Sequence, residues 1–261
     1  MKSSAFYLTV VVSLFSLSSA LAIETSELTG LGENKKVHAK LIMPDGKGPF
    51  PAVLVLHGDS GVKKPDLDFA QGLAHEGYAC LVPYYFDTYH IAYDTRNWAM
   101  TTYAPDILKD FTSEIDYLKT LPKINKNKVG AVGFSMGGYW ALLLSGMEKT
   151  QAGISYYGAL DSGAIDSVIR YHFDDIFNKH SSPVLVLNGE DDMTVDVKYA
   201  KQFAAMLKGK FSKYEIHIYP NAGHHFDRGE ALHMPAVKDS WSKTLAFLKK
   251  YLQPARNPAR Q

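Results

Sequence analysis

Six short apolar runs punctuate the chain: "AVLVLHG" (52–58), "YACLVPY" (78–84), "KVGAVGF" (128–134), "AGISYYG" (152–158), "PVLVLNG" (183–189) and "YEIHIYP" (214–220). Most are continuous rather than alternating, the pattern of strands buried on both faces. Longer stretches with helical spacing lie around them, at 68–76, 104–121, 137–147, 195–209 and 236–252. In the second of these, Ile107, Phe111, Ile115 and Leu118 share one face at steps of four and three. Strand and helix in repeated succession predict an α/β fold with a mainly parallel central sheet and helices on both faces. Residues 35–51 read as an edge strand followed by a turn rich in glycine and proline. Residues 84–103 fit neither pattern. They are aromatic and polar, and a connection of that length suits a wall or lid over a pocket.

The first 22 residues stand apart. Lys2 opens them, an apolar run over residues 5–15 follows, and Ala20-Leu21-Ala22 closes them with small residues. This is the layout of a secretory leader cut after Ala22, and the apolar run is too short to span a bilayer. The expected organisation is a signal peptide over 1–22 and a single domain over 23–261, secreted or periplasmic. The full chain carries 28 basic and 27 acidic residues, so losing Lys2 leaves it neutral. A neutral chain with ordinary apolar content gives no electrostatic footprint for nucleic acid or an anionic membrane. The lone cysteine, Cys80, excludes an intramolecular disulfide and reads as a small core residue.

The chemistry concentrates at Gly133-Phe134-Ser135-Met136-Gly137, a G-x-S-x-G motif that follows a strand and opens a helix. Glycines there permit a very tight turn with the Ser135 hydroxyl at its apex, and the helix start directs N–H groups toward it. A serine hydroxyl is a weak nucleophile and needs a base held by an acid. Two later strand ends supply them: Asp191 and Asp192 after "PVLVLNG", and His224 and His225 after "YEIHIYP". The order serine, acid, histidine suits this kind of fold. Neighbouring side chains diverge, so one member of each pair can face Ser135, and spacing alone does not choose it. The unused acid could cap the helix near residue 195.

With these residues in place, the sequence resembles the dienelactone hydrolase family of α/β-hydrolases over most of residues 35–252. The resemblance rests on "VLHGDSGV", "GFSMGGYWAL", "NGEDDMTV" and "YPNAGHHF". It implies Asp192 as the acid, through G-x-x-D-x-x-V on Gly189 and Val195, and His224 as the base, through H-x-F on Phe226. It also implies that the main-chain N–H groups of Met136 and Asp59 bind the oxyanion. His57 reads as a loop-packing residue. Two departures stand out: the best-known members use cysteine where this chain has Ser135, and carry a glutamate where it has Gly58. Both move the expectation from dienelactone toward general carboxylic esters. Arg228, four residues after His224, matches a position where the family grips a substrate carboxylate. It could instead pair with Asp227 or Glu230. Arg96 is the candidate second arginine, and Tyr84, Tyr85 and Trp98 are candidate lining of the acyl pocket.

The implied function is a serine hydrolase that cleaves carboxylic esters through an acyl-enzyme and needs no metal or organic cofactor. Its expected partner is a small-molecule ester. It is expected to be a monomer with no membrane span after leader removal. The alternatives are a peptidase or acyltransferase with the same triad, or a non-catalytic binding protein on the same fold.

Overall fold

The computed structural model describes residues 23–32, 36–160, 171–229 and 232–253, so the expected signal peptide, residues 1–22, and Glu230 lie outside the described residues. Among these residues the strands are β1 (Glu24–Leu31), β2 (Val37–Met43), β3 (Phe50–Leu56), β4 (Ala79–Pro83), β5 (Ile124–Phe134), β6 (Gly153–Tyr156), β7 (Val184–Gly189) and β8 (Tyr214–Tyr219). The helices are α1 (Lys64–His75), α2 (Tyr85–Thr88), α3 (Arg96–Thr120), α4 (Met136–Gly146), α5 (Phe173–Ile176), α6 (Lys198–Leu207) and α7 (Met234–Leu252). None is long and apolar enough to cross a membrane.

The strands form one eight-stranded sheet in the order β1-β2-β4-β3-β5-β6-β7-β8. The β1–β2 and β2–β4 pairs are antiparallel. From β4 to β8 all pairs are parallel. This is the α/β-hydrolase fold expected above. Each face carries its own core, because strands buried on both sides need cover on both. One core collects Phe111 from α3, Trp140 from α4 and Phe203 from α6, and the other collects Leu73 from α1 and Phe247 from α7. After β3 the chain crosses to β4 on one side, then returns to place β5 on the other. That reversal opens a crevice at the strand ends, where such sheets put their sites.

Two elements depart from the sequence expectation. The segment at 35–51 is not the sheet's edge: β1 pairs outside β2, with Glu24 opposite Met43 and Leu28 opposite Ala39. The aromatic segment is largely helix, α3 beginning at Arg96 and running through Pro105. Its apolar stripe continues backward, as Met100 and Ala104 are buried in line with Ile107 and Phe111. The same buried face carries Glu114, whose two carboxyl oxygens have no hydrogen-bond partner. Burial, with Asp110 nearby, pushes its pKa well above the carboxylate range. Cys80 lies fully buried in β4, its thiol 3.7 Å from the Tyr78 carbonyl, and burial raises its pKa.

Candidate active site

Ser135 sits between the end of β5 and the start of α4 with φ 52° and ψ −115°. A non-glycine residue in the left-handed region costs about 1–3 kcal/mol and persists only where its surroundings enforce it. They do so here. The Ser135 N–H donates to the Tyr156 carbonyl at 2.9 Å, and its own carbonyl accepts from Gly138 at 2.9 Å and Ala159 at 3.1 Å. The glycines make the turn possible by close approach. A Cβ on Gly133 would lie 1.9 Å from the Gly137 carbonyl oxygen, and one on Gly137 would lie 2.1 Å from that of Leu56. Helix α4 is thereby driven against the ends of β3 and β5.

The loop after β8 brings His224 over this turn. Its Nε2 is 3.1 Å from the Ser135 Oγ, and its Nδ1 is 2.8 Å from an Asp192 carboxylate oxygen. Asp192 lies in the loop after β7 and is buried. Its second oxygen accepts from the Thr194 and Val195 N–H groups at 2.9 and 2.8 Å, which fixes the carboxylate's direction. With an Nδ1–H donating to Asp192, the Nε2 lone pair faces the serine hydroxyl. The acid and histidine loops hold each other, since the Asp191 N–H donates to the Ala222 carbonyl at 3.0 Å. Asp191 itself is exposed. His225 makes no hydrogen bond to Ser135; its ring lies 5.2 Å from that of Tyr157 and 4.4 Å from that of His224, and partial desolvation lowers its pKa. Among the described residues no cluster of histidine, cysteine, aspartate or glutamate could hold a metal ion.

The loop after β3 passes against the serine, as a Cβ on Gly58 would stand 3.5 Å from the Ser135 Cβ. Met136 is the first residue of α4, so its N–H has no partner within the helix. His57 is fully buried beneath this loop, stacked on Tyr85 at 3.9 Å, with its Nδ1 2.7 Å from the Gly58 carbonyl. Burial lowers its pKa to about 4, so it stays neutral and serves packing.

The candidate substrate-binding residues scatter. Tyr85 is fully buried and its hydroxyl donates to the His57 carbonyl at 2.8 Å; it supports the loop from below and cannot line a pocket. The sequence reading makes it a candidate wall of the acyl pocket, but the start of α2 turns it inward, edge-on to Phe86 and Phe111. Trp98 is 63% exposed on α3 and meets the edge of Tyr103 at 5.9 Å. Tyr84 is partly buried against His38. Arg96 reaches Asp59, with its Nε 3.0 Å from a carboxylate oxygen, and its guanidinium lies over the Tyr93 ring. Arg228 is committed to carboxylates: Nη1 donates to Asp66 at 2.9 Å, while Nε and Nη2 hold Asp227 at 3.2 and 3.1 Å. Tyr157, which sequence reasoning passed over, presents its ring to His224 at 4.7 Å and donates its hydroxyl to Asp227 at 2.7 Å. Only its position at the end of β6, beside the elbow, could have flagged it.

The Dienelactone hydrolase family model matches residues 37–252. A Synechocystis sp. protein named "Putative carboxymethylenebutenolidase" is 25% identical over 237 residues, 85% of this chain and 94% of its own. Among solved structures, a dienelactone hydrolase-like promiscuous phosphotriesterase from metagenomic libraries superposes with a TM-score of 0.70 at 20% identity. The match covers 88% of this chain and 99% of that one. A thermophilic esterase from Thermogutta terrifontis gives a TM-score of 0.70 at 15% identity, covering 90% and 95%. The last two likenesses speak for the fold. The family match, spanning nearly the whole folded chain, speaks for descent: this protein belongs to the dienelactone hydrolase family of α/β-hydrolases.

Proposed function

We propose that the protein is a carboxylic ester hydrolase working through Ser135, His224 and Asp192. The observation that carries this reading is the unbroken hydrogen-bonded run from the Ser135 hydroxyl through the His224 ring to the Asp192 carboxylate. In the first half-reaction Nε2 of His224 takes the hydroxyl proton as Oγ attacks the ester carbonyl, and Asp192 stabilises the imidazolium. The N–H groups of Met136 and Asp59 bind the oxyanion of the tetrahedral intermediate. His224 then protonates the departing alcohol and activates the water that releases the acid from the serine. Residues 1–22 act as a leader removed on export, so the exported protein begins at Ile23, as mass spectrometry of the secreted or periplasmic form would read directly.

The test of the nucleophile is covalent. A fluorophosphonate probe should label the parent once, on Ser135, and the parent should hydrolyse p-nitrophenyl acetate. Ser135→Ala should take no label and lose at least about 10³-fold in kcat. A Ser135→Ala protein that is labelled and turns over as the parent does would overturn the reading.

A further inference from the structure

Behind the histidine runs a chain of contacts that the proposed mechanism does not use. Its hub is Arg228, with a side chain only 16% exposed. On one side the guanidinium grips Asp227 with two N–H groups, and Asp227 accepts the Tyr157 hydroxyl, whose ring stands edge-on to His224. On the other side it grips one oxygen of Asp66, whose second oxygen accepts the Lys63 N–H at 2.8 Å and closes the first turn of α1. Lys63 ends the loop that begins at His57 and passes Ser135. The guanidinium carbon also lies 4.3 Å from the centre of the Phe134 ring, the residue before the nucleophile. One side chain therefore touches the supports of the histidine loop, the β3 loop and the nucleophile turn.

Charge decides what this arrangement can do. Burial alone would disfavour the guanidinium, but the Tyr157 hydroxyl, Asp227 and Asp66 outweigh it and hold it protonated. Both carboxylates are buried or nearly so. A cation enclosed by two carboxylates carries no surplus positive charge for a third. The guanidinium borders a groove of about 500 Å³ lined by Phe69, Val237 and Trp241, between α1 and α7. Arg96, the other candidate anion grip, is likewise neutralised by Asp59.

We propose that Arg228 is a positioning residue, bracing the histidine loop against the N-terminus of α1, and that the site consequently takes uncharged esters. This rests on the ester hydrolase reading for its substrate clause. The brace itself is a claim about geometry: a misplacement of about 1 Å at a reacting centre can cost about 10²-fold in rate.

The experiment compares the parent, Arg228→Gln, Asp66→Asn and the double variant on p-nitrophenyl acetate and on the anionic p-nitrophenyl hemisuccinate. The brace predicts that Arg228→Gln loses about 10- to 100-fold in kcat on both esters with KM unchanged. Asp66→Asn should lose in the same way, and the double variant should be no worse than the poorer single. A loss confined to the hemisuccinate and expressed in KM, with Asp66→Asn unimpaired, would overturn it and restore a substrate-binding arginine. If Arg228→Gln does not fold, Arg228→Lys keeps the charge without the two-pronged grip; an equal kcat loss on both esters supports the brace, and a KM loss on the hemisuccinate alone refutes it. A parent inert to both esters and to fluorophosphonate would defeat the hydrolase reading instead. The brace would then be judged by thermal unfolding: non-additive falls in Tm for Arg228→Gln and Asp66→Asn support it, and additive or absent falls overturn it.

Discussion

Arg96, at the first turn of α3, holds the side chain of Asp59 through an ion pair of 3.0 Å. The residue proposed to offer its N–H to the oxyanion is thus tied by its carboxylate to the start of α3. The pair is partly buried, about one-quarter exposed, and solvent screening holds such a surface-reaching pair to about 1 kcal/mol. Loosening it should therefore cost far less than deleting an oxyanion donor, which costs about 10²–10³-fold. Asp59→Asn and Arg96→Ala should each lower kcat on p-nitrophenyl acetate by about fivefold or less. Because the two changes break one contact, the double variant should match the singles. Steady-state kinetics of the four proteins checks this.

The adjacent acids and the adjacent histidines should separate sharply. Asp192 is buried and makes all three bonds described above, whereas Asp191 is exposed. Asp192→Asn should lower kcat by about 10⁴-fold, through the wrong histidine tautomer. Asp191→Asn should leave it within about twofold, as an exposed carboxylate with no bond to the base contributes little. His224→Gln should abolish burst-phase acylation, and His225→Gln should preserve it. Stopped-flow release of p-nitrophenol distinguishes the two.

The elbow glycines test the packing directly. An alanine at Gly137 would place its Cβ 2.1 Å from the Leu56 carbonyl oxygen, and backbone cannot retreat that far. Gly137→Ala should lose more than about 3 kcal/mol or fail to accumulate in soluble form. At Gly223 the nearest atom to such a Cβ is 3.7 Å away. Gly223→Ala should fold as the parent does, as urea titration of both would read.

Glu114 should make stability fall as pH rises. Burial raises its pKa in the folded protein, so it holds its proton to higher pH there than in the unfolded chain, where it ionises above about pH 4.3. Over that window the folded state binds the extra proton, so the contribution to stability declines with increasing pH. Glu114→Gln removes the proton from both states. The Tm of the variant relative to the parent should therefore grow as pH rises above about 4.3, as calorimetry would measure.

Most of the parallel strands were readable because burial on both faces leaves no polar positions to obscure them: residues 184–187 show it plainly, while β8 at the sheet's edge keeps Glu215 and His217. Strand β1 was not, since its sequence is mostly polar and its side chains are mostly exposed at a sheet edge. The start of α3 hid behind Pro105 and a run of polar and aromatic residues, although Met100 continues its buried stripe. Ser135 announced itself through its glycines, because close approach of backbone to backbone admits no other residue. The partners of Arg228 could not announce themselves. Asp66 is 162 positions away in the chain, and only the fold brings the two charges together.

The chain has a single sulfhydryl, on Cys80, enclosed in β4 between β2 and β3. Oxidants and neighbouring molecules find no thiol on the folded surface, so the protein can pass through an oxidising compartment without cross-linking. The same enclosure makes Cys80 a built-in reporter, because alkylation by a maleimide would proceed only as fast as the sheet opens.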